Sequence, residues 1–188
     1  MLTTLEKFRR HMGDIGTDDE LTLYLMVASQ GIENYCRRSF RKQTYTEQLN
    51  GYGESPYINL RNYPVHDVVS VKSSNSVVTG FESVGEGRLY RSCGWPSGKH
   101  NLTITYVGGY VLPGEETKDE PRTLPESLEF ACIIYAQSLY DSQFIPTGIQ
   151  TERLGEMSVT YAQHQTDKSS QMPPTVVSLI NPYVGRWY

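Results

Sequence analysis

The sequence predicts an α+β fold: a small helical bundle with an inserted antiparallel β-sandwich or barrel-like subdomain. Three observations point to it. Apolar residues recur at helical spacing over residues 17–35, and they do so again after Pro125. Between them, from Gln43 to about Gly109, short β-prone runs are punctuated by Gly, Pro, Asn and Ser, with no helix-length apolar stripe. The boundaries drawn from this texture are a helical core of residues 1–42 plus 123–188, carrying a late β-hairpin (148–162) and a C-terminal tail. The insertion is residues 43–122, strands followed by an acidic linker.

Each element has its own signal. Thr3 with Glu6 reads as a capping box, and Leu5, Phe8 and Met12 follow at helical spacing up to Gly13. Thr17 with Glu20 opens a longer helix with Leu21, Leu25, Ala28, Ile32 and Tyr35 on one face. Asp18, Asp19 and Glu20 at its positive end and Arg37 and Arg38 at its negative end suit the helix dipole. In the insertion the clearest strand is 101–107, where Leu102, Ile104 and Tyr106 alternate with Thr103 and Thr105. Residues 65–71 and 88–91 are further strands. Asn50-Gly51, Ser74-Asn75, Gly85-Glu86-Gly87 and Gly108-Gly109 read as turns. Residues 113–125 lack periodic apolar content, so an exposed, mobile linker is expected. After Pro125, Leu128, Cys132, Tyr135, Ala136 and Leu139 form a helix that should pack on the first long one. Residues 149–153, a turn at Leu154-Gly155-Glu156, and alternating Met157, Val159 and Tyr161 read as a hairpin. Pro173-Pro174 opens a last short helix through Thr175, Val176, Leu179 and Ile180, limited by Pro182.

Composition narrows the function. A chain of 188 residues can bury a core without a disulfide or metal staple. The net charge of -4 argues against nucleic acid as the main partner, since such domains neutralise phosphates with a basic excess. Cys36, Cys93 and Cys132 are too far apart for a CxxC site or a disulfide framework and read as reduced, buried thiols. The first residues carry charge early, without the apolar core of a signal peptide. The longest apolar run, 130–136, falls far short of the roughly 20 residues that cross a bilayer. A soluble protein made inside the cell, with no membrane partner, is expected.

Motifs for chemistry do not assemble. His11, His66, His100 and His164 are scattered, with no HExxH pair. Ser97, in Gly94-Trp95-Pro96-Ser97-Gly98, lacks the GxSxG elbow, and no glycine cluster leads into Lys-Ser/Thr and a helix. No catalytic residue, cofactor or metal ligand is expected. Two segments stand out instead. The run Arg37-Arg38-Ser39-Phe40-Arg41-Lys42 reads as a basic patch or as the charged end of a helix. The tail with Tyr183, Arg186, Trp187 and Tyr188 follows a helix too short to bury its aromatic groups, so another surface must cover them.

One ordered set of blocks carries a resemblance. Gly31-Ile32-Glu33-Asn34-Tyr35-Cys36-Arg37-Arg38-Ser39-Phe40 leads into Tyr45-Thr46-Glu47-Gln48-Leu49-Asn50-Gly51 and then Leu60-Arg61-Asn62-Tyr63-Pro64-Val65. Trp95-Pro96-Ser97-Gly98, the strand through Tyr106 to Tyr110, Leu124-Pro125-Glu126-Ser127-Leu128 and the late hairpin follow in order. The set resembles the head-to-tail connector (adaptor) proteins of tailed bacteriophages. The resemblance implies a structural virion protein of the head-to-tail interface, made in the host cytoplasm. Its ring, expected to be twelvefold, would dock on the portal protein of the filled capsid and receive tail-completion or stopper proteins. DNA would meet it only by passing through the channel. It implies no catalysis and no cofactor. On this reading Tyr183, Arg186, Trp187 and Tyr188 would grip the portal, and Arg37, Arg38, Arg41 and Lys42 would face a neighbouring subunit. The alternative is a standalone β-rich module binding carbohydrate or peptide without catalysis.

Overall fold

The computed structural model describes residues 1–13, 15–74, 76–143, 151–154, 157–160 and 172–185, with residues 151–154 and 157–160 given by their backbone alone. The elements run α1 (Leu5–Met12), α2 (Asp18–Cys36), β1 (Gln43–Gly51), β2 (Tyr57–Asn59), β3 (Val65–Ser73), β4 (Ser76–Val77), β5 (Glu82–Ser83) and β6 (Arg88–Tyr90). They continue with β7 (Gly98–Gly108), α3 (Glu126–Ser142), β8 (Thr151–Leu154), β9 (Met157–Thr160), α4 (Pro174–Ile180) and a 3-10 turn, Asn181–Tyr183. Two compact units result: Met1–Ile32 with Pro125–Pro182, and Glu33–Leu124 with Tyr183, Val184 and Gly185. The division falls inside α2, earlier than the change of texture at Gln43. The reason is that residues 33–42 bond to loops of the strands.

In the first unit the helices meet through small residues and buried polar ties. The cap of α1 is Thr4, whose Oγ1 accepts from the Lys7 N–H at 3.3 Å. Thr3, the expected cap, is buried and donates its hydroxyl to Glu129 at 3.0 Å, while Lys7 Nζ reaches the other Glu129 oxygen at 2.9 Å. The cap therefore moves by one residue, because the first hydroxyl is used in packing. Thr17 opens α2 as expected, its Oγ1 accepting from Glu20 N–H at 3.3 Å. Leu21, Leu25, Ala28 and Ile32 are fully buried, as are Leu128, Ala131, Cys132 and Ala136 of α3. Gly31 permits this approach of α2 and α3: a Cβ there would lie 2.7 Å from the Tyr135 ring. Ser29 Oγ accepts from Leu2 N–H at 3.0 Å and donates to Leu25 O at 2.7 Å, pinning the segment before α1. α4 buries Val176 and Ile180, and Pro182 lies inside the 3-10 turn that extends it. β8 and β9 pair from Thr151 with Thr160 to Leu154 with Met157; residues 155 and 156 of the expected turn lie outside the described residues.

The second unit is two antiparallel sheets, ordered β1-β7-β3-β4 and β2-β6-β5, closing on one core. β7 supplies Leu102, Ile104 and Tyr106, all fully buried, against Ile58, Leu60, Leu89 and Trp95. Full burial of such side chains contributes roughly 1.5–3 kcal/mol each. Exposed ion pairs contribute about 0.2–1 kcal/mol, so the core outweighs the surface. Asn50-Gly51 is not a hairpin turn. It continues β1 through a register shift, and Gly51 passes so close to the Pro96 carbonyl that a Cβ would collide with it. The turn at residues 85–87 is present, with φ of 82°, 47° and 76°. The linker at 113–125 is exposed over most of its length but tethered. Thr123 and Leu124 N–H groups donate to Val111 O at 3.2 and 3.3 Å, and Glu115 and Glu120 pair with Arg41 and Lys42. Apart from the buried Leu124 its anchors are polar, so an apolar-periodicity test does not register them.

Cys36 and Cys132 are buried as expected, but Cys93 is exposed, because it lies in the turn that Gly94 N–H closes on Arg91 O. Burial pushes the Cys36 thiol from 9.0 up to about 12 and Cys132 up to about 11. A folded pKa above the unfolded one means stability is whole below pH 9.0 and falls as the pH rises through the folded values. A thiol reagent at mildly alkaline pH should therefore titrate Cys93 alone in the folded protein and all three cysteines after denaturation. Denaturant midpoints should fall above about pH 9 in a way that Cys36→Ala and Cys132→Ala reduce.

Candidate functional site

The segment that carries the family resemblance folds as the junction between α2 and the sheets. α2 stops at Cys36 because Arg37 turns left-handed, at φ 55°. Arg37 N–H donates to Asn34 O and Arg38 N–H to Glu33 O, each at 3.2 Å, which is the paired bonding of a Schellman ending. Glycine usually takes that position, and arginine there costs roughly 1 kcal/mol more in backbone strain. The arginines therefore lie beyond the helix, and the expected dipole pairing at its last turn is not made.

Arg38 turns inward and is 4% exposed. Its guanidinium carbon sits 3.4 Å from the Tyr63 ring centroid and 5.0 Å from that of Phe40, and Nη2 donates to the Tyr63 carbonyl. Nε and Nη1 are buried without hydrogen-bond partners, so ring faces stand in for the acceptors the charge lost on leaving water. Around this cage, Glu33 Oε1 accepts from Ser39 Oγ at 3.0 Å and from Phe40 N–H at 2.9 Å. Asn62 Oδ1 accepts from Ser39 N–H at 2.8 Å, and the Asn62 N–H donates to Tyr106 Oη at 3.0 Å. Tyr106 in turn donates to Glu47, and burial followed by that carboxylate raises its pKa. Gly109 closes the arrangement at φ 98°, where a Cβ would lie 2.8 Å from Phe40 O.

The candidate residues separate in space. Arg37 is exposed, and Arg38 is the member of the basic run that leaves the surface. Arg41, 59% exposed, pairs with Glu115 at 3.1 Å; Lys42, 25% exposed, pairs with Glu120 at 2.8 Å. Tyr183 is half-buried, its ring edge-on to Phe40 at 6.5 Å, and Gly185 N–H donates to Cys36 O at 3.1 Å. The tail thus has a covering surface within its own unit up to Gly185. Arg186, Trp187, Tyr188 and His164 lie outside the described residues. His11 faces Gln137 and His66 the Gly109 carbonyl. Among the described residues no His, Cys, Asp and Glu group could hold a metal ion, and no helix is long and apolar enough to cross a membrane. A cavity of ≈ 240 Å³ in the second unit is lined by Leu49, Asn50, Tyr52, Tyr57, Ile58, Asn59 and Arg61. It presents amides, aromatics and one guanidinium but no acid, base or nucleophile pair. Glu33 and Asn62 organise the junction; their one signal in sequence is membership of the ordered blocks.

Replacing Arg38 tests the cage. Arg38→Lys keeps the charge but loses the planar stack and should lower stability by about 2 kcal/mol; Arg38→Ala should lower it by about 3 kcal/mol. Urea unfolding followed by circular dichroism reads both, and losses under about 0.5 kcal/mol would remove Arg38 from its central place.

Known proteins share this architecture. A chain from the neck of a native gene transfer agent particle, computed with C12 symmetry, is 17% identical at a TM-score of 0.59, covering 98% of this chain and 89% of that one. A chain of the virion of a native gene transfer agent particle is 18% identical at 0.60, covering 98% and 90%. One from the neck of an empty particle, computed with C6 symmetry, is 17% identical at 0.60, covering 98% and 90%. At these identities the likeness is one of fold. No curated protein matches. The family model described as head completion protein matches residues 1–184. Ordered blocks, a helix-to-sheet junction without reacting groups and that near-complete match agree: the chain belongs to the head completion protein family, as its resemblance to head-to-tail connectors implies.

Proposed function

We propose that this protein is a head-to-tail adaptor whose ring docks on the portal of the filled capsid, receives the tail-completion or stopper protein, and leaves a channel through which DNA passes. The observation that carries this reading is the family match over residues 1–184. As a structural component of the virion neck, the protein acts by fit and catalyses nothing. Fold relatives occur in necks computed with C12 and C6 symmetry, which supports a ring, and the C12 neck favours twelve copies. Such a ring closes by a head-to-tail contact between two different patches of the same chain.

Two contacts complete the proposal. The cations Arg37 and Arg41, both exposed, and the half-buried Lys42 face a neighbouring copy, whereas Arg38 supports them from inside. Residues beyond Gly185, with Arg186, Trp187 and Tyr188, grip the portal, and Tyr183 fixes where that segment leaves the domain through its contact with Phe40. The binding-module alternative has no support from the comparisons.

Negative-stain images of the protein mixed with portal particles should show rings stacked on portals; a strictly monomeric protein that never co-purifies with portal would sink the adaptor reading. Truncation after Gly185 should leave the fold intact, since the Phe40 and Cys36 contacts remain, and weaken portal binding by at least about tenfold, or 1.4 kcal/mol. Undiminished binding by the truncated protein would reassign the grip.

A further inference from the structure

The basic run and the acidic linker are distant in sequence but adjacent in the second unit. The backbone explains why: Lys42 N–H donates to Tyr110 O at 2.8 Å and Tyr110 N–H to Phe40 O at 2.6 Å, so residues 40–42 lie beside 110. The loop that follows Leu112 then lies over the run. Its shape is set locally, with Glu115 N–H donating to Leu112 O at 3.0 Å, Thr117 N–H to Glu120 O at 2.9 Å, and Glu120 N–H to Thr117 Oγ1 at 3.1 Å. This fold presents two carboxylates at its two ends, one to each cation. Arg41 Nε bonds Glu115 at 3.1 Å and Lys42 Nζ bonds Glu120 at 2.8 Å. Lys42 holds the Glu120 carboxyl below the usual range, in keeping with a carboxylate that stays ionised in the pair. Arg41 and Lys42 are thus each met by a carboxylate of the loop where the sequence alone shows a cationic run, and Arg37 stays exposed beside them.

We propose that the loop of residues 114–120 is an electrostatic mask: by occupying Arg41 and Lys42 it keeps the run of Arg37, Arg41 and Lys42 from acting together to hold the phosphate backbone of double-stranded DNA. The inference rests on the adaptor reading, in which DNA passes the protein without being retained. Three clustered lysines and arginines otherwise suffice for sequence-independent contact with phosphates, and retention of that kind would oppose passage. Pairs this exposed are individually weak, so the mask works because the loop's own turns hold both carboxylates in place. Covered in this way, the run remains suited to a neighbouring copy of mixed charge and unsuited to a polyanion.

The test is fluorescence anisotropy with a labelled DNA duplex. Wild-type protein should bind weakly, and the Glu115→Gln, Glu120→Gln double variant at least about tenfold more tightly. With three phosphate contacts, that affinity should fall roughly 40-fold between about 50 and about 200 mM salt. Adding Arg37→Gln, Arg41→Gln and Lys42→Gln to the variant should abolish the gain. Glu54→Gln with Glu82→Gln, two exposed carboxylates elsewhere on the unit, makes the same change in net charge and should give no comparable gain. A double variant that binds no better than wild type, or no better than this control, overturns the mask. Circular dichroism of each variant, expected to be unchanged at such exposed positions, verifies the fold. Ring formation by the wild type, followed by sedimentation in the same preparations, reports on the adaptor reading alone, so the two ideas fail separately.

Discussion

Withdrawing the Arg38 guanidinium from water commits the whole junction to one geometry. A buried cation loses several kcal/mol of hydration, and here it regains interaction from two ring faces, one carbonyl and no carboxylate. These groups come from two places: the Phe40 ring from the chain leaving α2, and the Tyr63 ring and carbonyl from the loop before β3. Displacing either residue takes from the charge the groups that now hold it. The helix end, the start of the four-stranded sheet and the Phe40 stack with Tyr110 and Tyr183 are therefore fixed together. Non-directional apolar burial could not do this, because it tolerates sliding.

Strength and register come from different interactions in the second unit. The apolar core around Leu102, Ile104 and Trp95 supplies most of the free energy. Orientation comes from a polar chain that runs from Glu47 through Tyr106 and Asn62 to Ser39, linking the middle of the sheet to the end of α2. Satisfied buried networks of this kind specify one arrangement over near alternatives. In the proposed adaptor, where the same surfaces would meet many times around a ring, such definition would serve more than added stability.

Much of the architecture was legible because it depends on periodicity. The Leu21 to Ile32 stripe, the Leu102 to Tyr106 alternation and the proline-started α3 and α4 are local patterns that tertiary structure left alone. What escaped depends on non-local use of ordinary residues. Thr3 is a good cap by type, but Glu129 claims its hydroxyl. Asn50-Gly51 has turn composition, but the glycine is needed for a close pass by Pro96. Arg37 and Arg38 look like dipole partners, yet the first replaces the expected glycine and the second is drawn inward by Tyr63, far away in sequence. The candidate site was legible as a segment and as a family tag, while its division into a buried arginine and covered surface cations required the fold.

The bond from Gly185 N–H to the Cys36 carbonyl makes the second unit discontinuous, since the chain leaves it at Leu124 and comes back at Tyr183. On the ribosome, α2 and every strand up to β7 emerge well before the residues that finish the junction. A nascent or prematurely stopped chain holds a helix terminus still open to water and a Phe40 ring missing one neighbour. The surface of the junction is thus completed by residues far along the chain from the helix end that they cover.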